Sequence, residues 1–323
     1  MVRGLVIGKF MPVHKGHIAL VECACSHCDE VIVSMSYTPH DPIPGDVRFD
    51  WVRKSLAHLP KAKSFKVLDD FDDETLPLED RTKIWSDFIR RTYPVVDVVV
   101  SSEEYGEPFA YHLGAKHLLF DSDRKRIPVS ATMIRSKPLT YWNFIAEPAR
   151  YYFVKKICVY GAESTGKSTL TIRLAERFNT SFVPEVAREM LISNDFNVND
   201  IIEIGKAHDK RVEEKTREAN RLLFCDTDVI TTQIYSKHYL GVVPQILLEL
   251  EEKTSYALYF LLDVDVPWVA DGLRDLGDRR EEMMELFRTA LTERNIPFVA
   301  IRGDFAAREA SMVAVVNDVL ARY

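Results

Sequence analysis

Short β-branched apolar runs alternate with amphipathic stretches along the first half of the chain. The runs predict strands, and stretches with apolar residues every three to four positions predict helices. The predicted strands are Leu5–Lys9, Val31–Ser36, Phe65–Leu68, Val95–Ser101 and His117–Phe120. The predicted helices are His17–Cys28, Arg48–His58 and Arg81–Thr92, with a short helix starting near Ala131. This alternation favours a parallel sheet with helices on both faces.

The second half repeats the pattern independently. Its predicted strands are Lys156–Tyr160, Leu222–Asp226, Tyr256–Leu262 and Phe298–Ile301. Its predicted helices are Lys167–Phe178, Val186–Asn194, Asp200–Arg221, Ile230–Tyr239, Arg280–Arg294 and Ala306–Arg322. An aromatic connector near Ile145–Tyr152 separates the halves, so we predict domains at 1–147 and 148–323. The predicted fold class is α/β, with two doubly wound parallel-sheet domains.

Composition limits the class of protein further. The 323 residues are 46% hydrophobic and 28% charged, which suits two globular domains. The net charge of −7 gives no general attraction to nucleic acid. No apolar run reaches about 18 residues, and the N-terminus lacks a signal-peptide pattern, so no membrane association is expected. Five cysteines, an odd number in a chain of this size, favour a reducing cytoplasm.

A phosphate-binding motif opens the second half. The segment Gly161–Ser168 satisfies G-x-x-x-x-G-K-[ST] and lies between a predicted strand and a predicted helix. Its glycines let backbone N–H groups surround a phosphate at a helix N-terminus. Lys167 would reach the β- and γ-phosphates of ATP, and Ser168 would bind Mg²⁺. The predicted ATP-binding residues of this motif are Gly161, Glu163, Ser164, Thr165, Gly166, Lys167, Ser168 and Thr169.

Carboxylates follow the neighbouring strands of this half. Asp226 ends a buried apolar run, at the sheet edge where ligands of open α/β sheets collect. It either holds a Mg²⁺-bound water or accepts the proton of the acceptor hydroxyl. The alternative is that Asp226 caps the following helix. Glu185 and Arg188 follow the strand-like residues 181–183 and are predicted to enter the same cleft, unless they form a surface ion pair.

The segment 268–280 contains two glycines and three arginines. This composition predicts a lid that brings Arg274 and Arg280 to the charge developing on a transferred phosphoryl group. The alternative is a solvated charged loop. The P-loop by itself leaves ATPase, GTPase and kinase open, and the lid favours a small-molecule kinase.

A different phosphate-binding pattern lies at residues 8–17 of the first half. Gly16 allows close approach of the backbone, and His17 stands at a predicted helix N-terminus, where phosphate is favoured. His14 and His17 would donate hydrogen bonds to triphosphate oxygens, and Lys9 adds charge. Such a site positions an attacking phosphate and stabilises charge at the α-phosphorus, without a covalent intermediate.

A second segment of the first half completes that site. Ser130 or Thr132 would cap a short helix and offer hydroxyl and N–H groups to phosphate. Arg135 lies one turn further along, on a side able to face the same anion.

The two segments together carry a family resemblance. G-x-F-x-P-x-H-x-G-H at 8–17, with S-A-T-x-x-R at 130–135, resembles the nucleotidylyltransferases and, more narrowly, the nicotinamide-mononucleotide adenylyltransferases. Joined to a P-loop kinase, it resembles the NadR-like bifunctional enzymes. The resemblance covers nearly the whole chain. Further matching segments are 101–106, Asp123-Arg124, 141–145, 226–233 and 268–274.

The resemblance implies two steps of NAD synthesis. The kinase half would use ATP and Mg²⁺ to phosphorylate ribosylnicotinamide to nicotinamide mononucleotide (NMN). The first half would join NMN to the AMP of ATP, giving NAD and pyrophosphate. Some members of the family carry an N-terminal helix-turn-helix, whereas this chain begins at the first predicted strand, so no DNA binding is expected. The sequence leaves open whether the chain forms a homo-oligomer.

The resemblance also implies roles for single residues. Gly8, Phe10, Asp123 and Arg124 join the ATP site of the first half. Phe10, Trp51 and Tyr105 are candidates for contacts to the nicotinamide nucleotide, with core packing as the alternative for Phe10 and Trp51. In the kinase half, Trp268 would stack on the nicotinamide, and Glu185, Arg188 and Asp226 would contact the nucleoside.

Two other functions stay open. In the first, the protein is still a bifunctional enzyme, but its first half acts on another acceptor phosphate and its kinase half on another nucleoside. In the second, one half has no catalytic activity and serves as a sensor of ATP or NAD. Cationic groups in both halves favour catalysis in both.

Overall fold

The computed structural model describes residues 1–193, 195–269 and 276–323. The chain divides into two compact units, residues 1–150 with residue 323, and residues 151–322. The division lies between residues 150 and 151, three residues beyond the predicted boundary. No helix among the described residues is long and apolar enough to cross a membrane.

The first unit is built on a parallel sheet of five strands. They are β1 Arg3–Gly8, β2 Glu30–Tyr37, β3 Ala62–Leu68, β4 Val98–Ser101 and β5 Lys116–Leu119. The strand order is β3-β2-β1-β4-β5, so the chain reverses direction across the sheet between β3 and β4. The helices are α1 Lys15–His27, α2 Gly45–Ser55, α3 Leu78–Thr92, α4 Gly106–Leu113 and α5 Ala131–Ser136. Ligands of such sheets bind beyond the carboxyl ends of the strands at the reversal, which here is beside β1.

The second unit repeats this architecture. Its strands are β6 Lys155–Tyr160, β7 Phe182–Val183, β8 Leu222–Asp226, β9 Leu258–Leu262 and β10 Phe298–Ile301, in the order β10-β9-β6-β8-β7. All its strand pairs are parallel. Its helices are α6 Lys167–Arg177, α7 Val186–Met190, α8 Val198–Glu218, α9 Val229–Leu240, α10 Gln245–Lys253, α11 Arg280–Glu293 and α12 Phe305–Arg322. The predicted class, two doubly wound α/β domains, is confirmed.

Two helices were absent from the prediction. The first turn of α4 contains Gly106 and Pro108, residues that suggest a turn in a sequence. Proline is tolerated in the first turn of a helix, because its missing N–H has no intrahelical partner there. A Cβ at Gly106 would lie 1.9 Å from Ser101 Oγ, so the close packing of α4 on β4 requires glycine. The other helix, α10, directly follows Pro244, which likewise suggests a turn.

Candidate active sites

The turn between β1 and α1 brings two imidazoles together. His14 is the N-cap of α1, with an extended backbone, so the helix begins at Lys15. The rings of His14 and His17 stack with their centroids 3.7 Å apart. A Cβ at Gly16 would come within 2.9 Å of the His14 ring. Gly16 is therefore required by the position of the His14 imidazole.

Both imidazoles are neutral donors. Gly16 N–H donates to His14 Nδ1 over 3.1 Å, and His14 N–H donates to His17 Nδ1 over 3.3 Å. A neutral imidazole whose Nδ1 accepts carries its proton on Nε2. Burial, and to a smaller extent the Arg124 cation, lowers the pKa of His14 to about 4. Burial, then His14 and Arg124, also lowers the pKa of His17 well below its usual value. Each ring therefore offers an Nε2–H to an anionic ligand.

A cavity of about 1050 Å³ opens beside this turn, and we call it the polyphosphate cavity. Its wall includes His14 and His17 and, from the segment before α5, Arg124 and Ser130. Ser130 caps α5 by accepting from Met133 N–H over 3.1 Å. Arg124 donates to Val129 O over 3.2 Å, which fixes the guanidinium at the wall. Neutral donors with an adjacent arginine suit the charge of a triphosphate.

Arg135 connects α5 to the histidine turn. Its guanidinium donates to Met11 O, within the motif, and to Thr132 Oγ1 over 3.1 Å. Thr132 itself belongs to the wall of the polyphosphate cavity. The structure thus brings the two sequence segments together at one cavity.

Asp123 lies apart from that wall. It forms an exposed ion pair with Lys125, with Nζ and Oδ2 2.8 Å apart. The aspartate in the wall is Asp121, which accepts from the N–H groups of Arg126 and Ile127, each over 3.0 Å. This placement favours a role for Asp121 in shaping the loop and gives no support to the predicted ATP contact of Asp123.

A second cavity of about 790 Å³ adjoins the first, and we call it the acceptor cavity. Gly8 and Tyr105 belong to both walls. The ring of Trp85 meets Tyr105 edge to face at 5.6 Å, while Phe71 and Phe88 stack at 4.2 Å. Aromatic walls with a few polar groups are typical of sites for flat ring systems.

The polar part of the acceptor cavity is an internal ion pair. Arg81 Nε donates to Asp72 Oδ1 over 2.9 Å, and its Nη2 donates to Oδ2 over 2.5 Å. The guanidinium also lies 5.2 Å from the centre of the Trp85 ring. Lys9 lies in this wall rather than in that of the polyphosphate cavity, and its Nζ is 3.0 Å from Glu74. The Lys9 charge therefore lies at the second cavity.

Two of the predicted aromatic contacts are core residues. Trp51 on α2 is fully buried, and Phe10 is 2% exposed. Neither belongs to the wall of these two cavities, in a unit whose residues 1–150 are all described. The Phe10 ring lies 4.8 Å from that of His17 and packs against it. The structure favours core packing for both, with Trp85 in the position expected of Trp51.

The Gly161–Ser168 segment forms the turn between β6 and α6. Gly161 and Gly166 have φ angles of 143° and 87°, a region where side chains are strained. A Cβ at Gly161 would lie 2.8 Å from Leu262 O. Lys167 is buried and donates from Nζ to Ala162 O over 2.9 Å. The turn therefore has the backbone form that the motif predicts, while Thr169 lies exposed on α6.

Asp226 ends β8 directly beside this turn. It is 2% exposed, and among the described residues its Oδ1 has no hydrogen-bond partner. Burial, followed by the charge of Glu185, raises its pKa to about 6. The helix cap is Asp228, which accepts from Thr231 N–H over 2.9 Å. Asp226 is therefore not the cap of α9, and its buried Oδ1 is left available for another partner.

A cavity of about 770 Å³ in the second unit lies next to the P-loop, and we call it the nucleoside cavity. Glu163 of the P-loop, Glu185 and Arg188 belong to its wall. Arg188 Nε donates to Glu185 Oε2 over 2.5 Å. The predicted pair thus faces a cavity, and the ion pair that was the alternative is present as well. Much of the remaining wall comes from α8, α9 and the segment before α8, and includes Phe196, His208, Tyr235 and Tyr239.

Arg280 and Trp268 lie on another side of the P-loop. Arg280 donates to Ser164 O over 3.3 Å and to Val266 O over 2.9 Å. Its guanidinium lies 5.6 Å from the Trp268 ring. Trp268 is absent from the wall of the nucleoside cavity, as far as the described residues define it. Arg274, the predicted lid arginine, lies outside the described residues.

The sequence did not predict several residues that line the cavities. Phe71, Trp85 and Phe88 of the acceptor cavity have no motif of their own. Tyr235 and Tyr239 of the nucleoside cavity are four residues apart on α9, a spacing that places both on one helix face. That spacing was the available signal, and it is equally typical of a core helix.

Comparison with known proteins assigns both units. Residues 5–137 match the cytidylyltransferase-like family model, and residues 156–308 match an AAA domain model. The trifunctional NAD biosynthesis/regulator protein NadR of Escherichia coli K12 is 30% identical, over 98% of this chain and 83% of that protein. The corresponding protein of Salmonella typhimurium LT2 is 30% identical with the same coverage. Nicotinamide-nucleotide adenylyltransferase of Thermococcus onnurineus is 28% identical over 48% of this chain.

Solved structures show the same fold. The crystal structure of NadR protein in complex with NR has a TM-score of 0.81 and 21% identity, covering 98% of this chain and 95% of that chain. The structure of NadR protein with NAD and AMP-PNP has a TM-score of 0.79 and 21% identity, covering 98% and 96%.

Proposed function

The chain belongs to the NadR family, and from this we propose that it catalyses two consecutive steps of NAD synthesis. Residues 151–322 transfer the γ-phosphoryl group of ATP to a hydroxyl of ribosylnicotinamide, giving NMN and ADP. Residues 1–150 transfer AMP from a second ATP to NMN, giving NAD and pyrophosphate. The product of the first reaction is the substrate of the second.

One observation carries this proposal. In each unit, the phosphate-binding turn borders a separate cavity with aromatic walls. Gly8 and Lys9 belong to the acceptor cavity, and Glu163 belongs to the nucleoside cavity. A phosphate donor beside a flat-ring acceptor is the arrangement that both transfers to a nicotinamide substrate require.

In the adenylyl transfer, an NMN phosphate oxygen attacks the α-phosphorus of ATP. The bond from that phosphorus to the bridging oxygen breaks, and pyrophosphate leaves. His14 and His17 donate from Nε2 to the phosphate oxygens, and Arg124 adds positive charge beside them. These groups stabilise negative charge where it grows, with no proton exchanged by the histidines.

In the phosphoryl transfer, the two carboxylates have separate roles. Within the described part of the chain, the buried Oδ1 of Asp226 has no hydrogen-bond partner, and the carboxylate receives a hydrogen bond from Ser168, so these oxygens would suit Mg²⁺. Bound Mg²⁺ would neutralise charge on the β- and γ-phosphates. Glu185 belongs to the wall of the nucleoside cavity, and we propose that it, rather than Asp226, accepts the proton of the nucleoside hydroxyl. Lys167 of the P-loop supplies a further positive charge.

Glu185→Gln is expected to lower kcat for phosphoryl transfer about 10²–10⁴-fold, because a general base contributes that much. The KM for ATP should stay within a factor of about two, since Glu185 lies on the nucleoside side of the P-loop. Steady-state kinetics with ATP and ribosylnicotinamide measure both values. The matched control is Glu189→Gln on α7, the helix that begins directly after Glu185; Glu189 is exposed and pairs with Arg211 over 3.1 Å. Equal activity of the two variants would assign the proton to Asp226 or to water.

Incubation with ATP, Mg²⁺ and ribosylnicotinamide tests the whole proposal. Chromatography should show NMN first and NAD afterwards. Ribosylnicotinamide should be phosphorylated at least about 10²-fold more efficiently than cytidine, because a cavity built for one ring rejects another through unpaired polar groups. Comparable rates for the two nucleosides would defeat the substrate assignment while leaving both transfer reactions in place.

The cellular setting follows from the same proposal. All five cysteines are free, which agrees with the reducing cytoplasm in which we place this enzyme. The absence of DNA binding stays a prediction that rests on the net charge of −7. The oligomeric state also stays open.

A further inference from the structure

Arg308 on α12 is a charged residue in the interior of the second unit. Its side chain is fully buried, yet no role for it was visible in the sequence. Nη1 donates to Thr165 O over 2.6 Å, Nε donates to Gly303 O over 2.7 Å, and Nη2 donates to Asp263 O over 2.9 Å. Nη2 also pairs with the carboxylate of Asp265. One guanidinium thus joins the P-loop to the carboxyl ends of β9 and β10.

The contact to Thr165 determines where a ligand-binding group points. A trans peptide holds its C=O and N–H in one plane and in opposite directions. When Arg308 binds Thr165 O, the N–H of Gly166 therefore points away from the guanidinium. P-loops bind phosphate through such N–H groups. The orientation of this one peptide decides whether the Gly166 N–H is available to ATP.

Arg280 holds the preceding peptide in the same way. It donates to Ser164 O over 3.3 Å, so the N–H of Thr165 also points away from an arginine. Ser164 has a φ of 55°, and Gly166 has a φ of 87°. Residues in this left-handed region are strained or need glycine, and surrounding contacts must hold them. Two arginines on successive carbonyls supply those contacts.

The first unit has a comparable buried arginine. Arg48 on α2 is fully buried and donates to Lys9 O, within the histidine motif, and to Ile43 O over 2.9 Å. It also pairs with the Asp41 carboxylate. Both units therefore support their phosphate-binding turn from the protein side with a buried arginine, although the turns have different sequences.

We propose that Arg308 is a positioning residue for phosphoryl transfer, which orients the Thr165–Gly166 peptide so that its N–H binds the phosphates of ATP. The proposal deepens the kinase function and rests on it for the turnover measurements only. Arg308 touches no substrate. A lysine in its place keeps the charge but cannot bind three carbonyls in one plane, because it lacks the guanidinium fork.

The test compares Arg308→Met and Arg308→Lys with a matched control, Arg302→Met. Arg302 is 70% exposed and pairs with Asp263 over 2.6 Å, so its removal also changes the end of β9 but not the P-loop. Arg308→Met should raise the KM for ATP in the kinase reaction about 10- to 100-fold, as expected for lost positioning of a donor. The KM for ribosylnicotinamide and the rate of adenylyl transfer should stay within a factor of about two. Arg308→Lys should be intermediate, and Arg302→Met should resemble the wild type.

Calorimetric titration with AMP-PNP tests the same point without any nucleoside. The wild-type chain should bind two equivalents of AMP-PNP, one at each ATP site. Arg308→Met should bind one equivalent with unchanged affinity, at the adenylyl-transfer site, and lose tight binding at the kinase site. The proposal would be overturned if Arg308→Met bound the second equivalent of AMP-PNP with unchanged affinity. It would also be overturned if the KM values for ATP and ribosylnicotinamide rose equally, because that would indicate a general loss of order in the unit. If Arg308→Met does not fold, Arg308→Lys decides by the same criteria. If wild-type enzyme binds two equivalents but does not phosphorylate ribosylnicotinamide, the substrate assignment fails while the titration still decides the role of Arg308.

Discussion

His17→Ala is expected to lower adenylyl transfer about 10²–10³-fold, the usual cost of removing one donor from charge that develops in a transition state. The Nε2–H of His17 is lost, while the phosphoryl-transfer site of residues 151–322 is unchanged. Supplied with ATP and ribosylnicotinamide, this variant should accumulate NMN and make almost no NAD. Chromatography of the products over time gives both rates in one experiment, so the kinase reaction is the internal control.

Two further substitutions separate the catalytic donor from its structural role. His17 Nδ1 accepts from His14 N–H, and the two rings stack at 3.7 Å, so alanine also weakens the turn. In His17→Asn, the amide oxygen replaces Nδ1 as acceptor but no donor reaches the position of Nε2. In His17→Gln, the amide N–H₂ reaches that position instead. We therefore expect more adenylyl transfer from the glutamine variant than from the asparagine variant, and the reverse order would show that the capping contact matters more.

The alternation of strands and helices predicted the fold class, because most strands of these parallel sheets are short apolar runs that a helix follows. The strand orders did not follow from it. A sequence shows which segments are strands, whereas their order depends on which crossover packs best in three dimensions. The two-residue strand β7 is too short to be recognised from the periodicity of its sequence. Its importance is positional, since it delivers Glu185 to the nucleoside cavity.

The phosphate-binding turns were predictable because glycines and cationic residues rarely share such a fixed spacing unless the backbone must surround an anion. The aromatic walls were not. Trp51 and Trp85 both lie on amphipathic helices, and only packing shows that Trp51 is in the core while Trp85 faces the acceptor cavity. Arg308 is the opposite case, because a single arginine in an amphipathic helix is usually solvated. Its burial depends on the carbonyl oxygens of three other segments, which accept from its guanidinium and which no local sequence pattern records.

The other large effect is expected at Lys167, which is buried in the P-loop. Its ammonium group donates to Ala162 O over 2.9 Å, and Thr165 Oγ1 donates to the same carbonyl over 2.9 Å. ATP phosphates would replace a single carbonyl as the partner of the Lys167 charge, and a charge-assisted hydrogen bond is stronger than one to a neutral group. The buried position keeps water from screening this charge. The lysine is thus positioned for the phosphates before ATP arrives.

Lys167→Met is therefore expected to lower phosphoryl transfer about 10³-fold or more, as for other cations that act on a transferred phosphoryl group. Methionine keeps most of the buried volume, so the P-loop should stay folded and Ala162 O still has the Thr165 hydroxyl as partner. This variant should make no NAD from ribosylnicotinamide, yet convert added NMN to NAD at the wild-type rate. Product chromatography with each substrate in turn measures this, and His17→Ala should give the complementary pattern. Loss of both activities in either folded variant would contradict the independence of the two transfers.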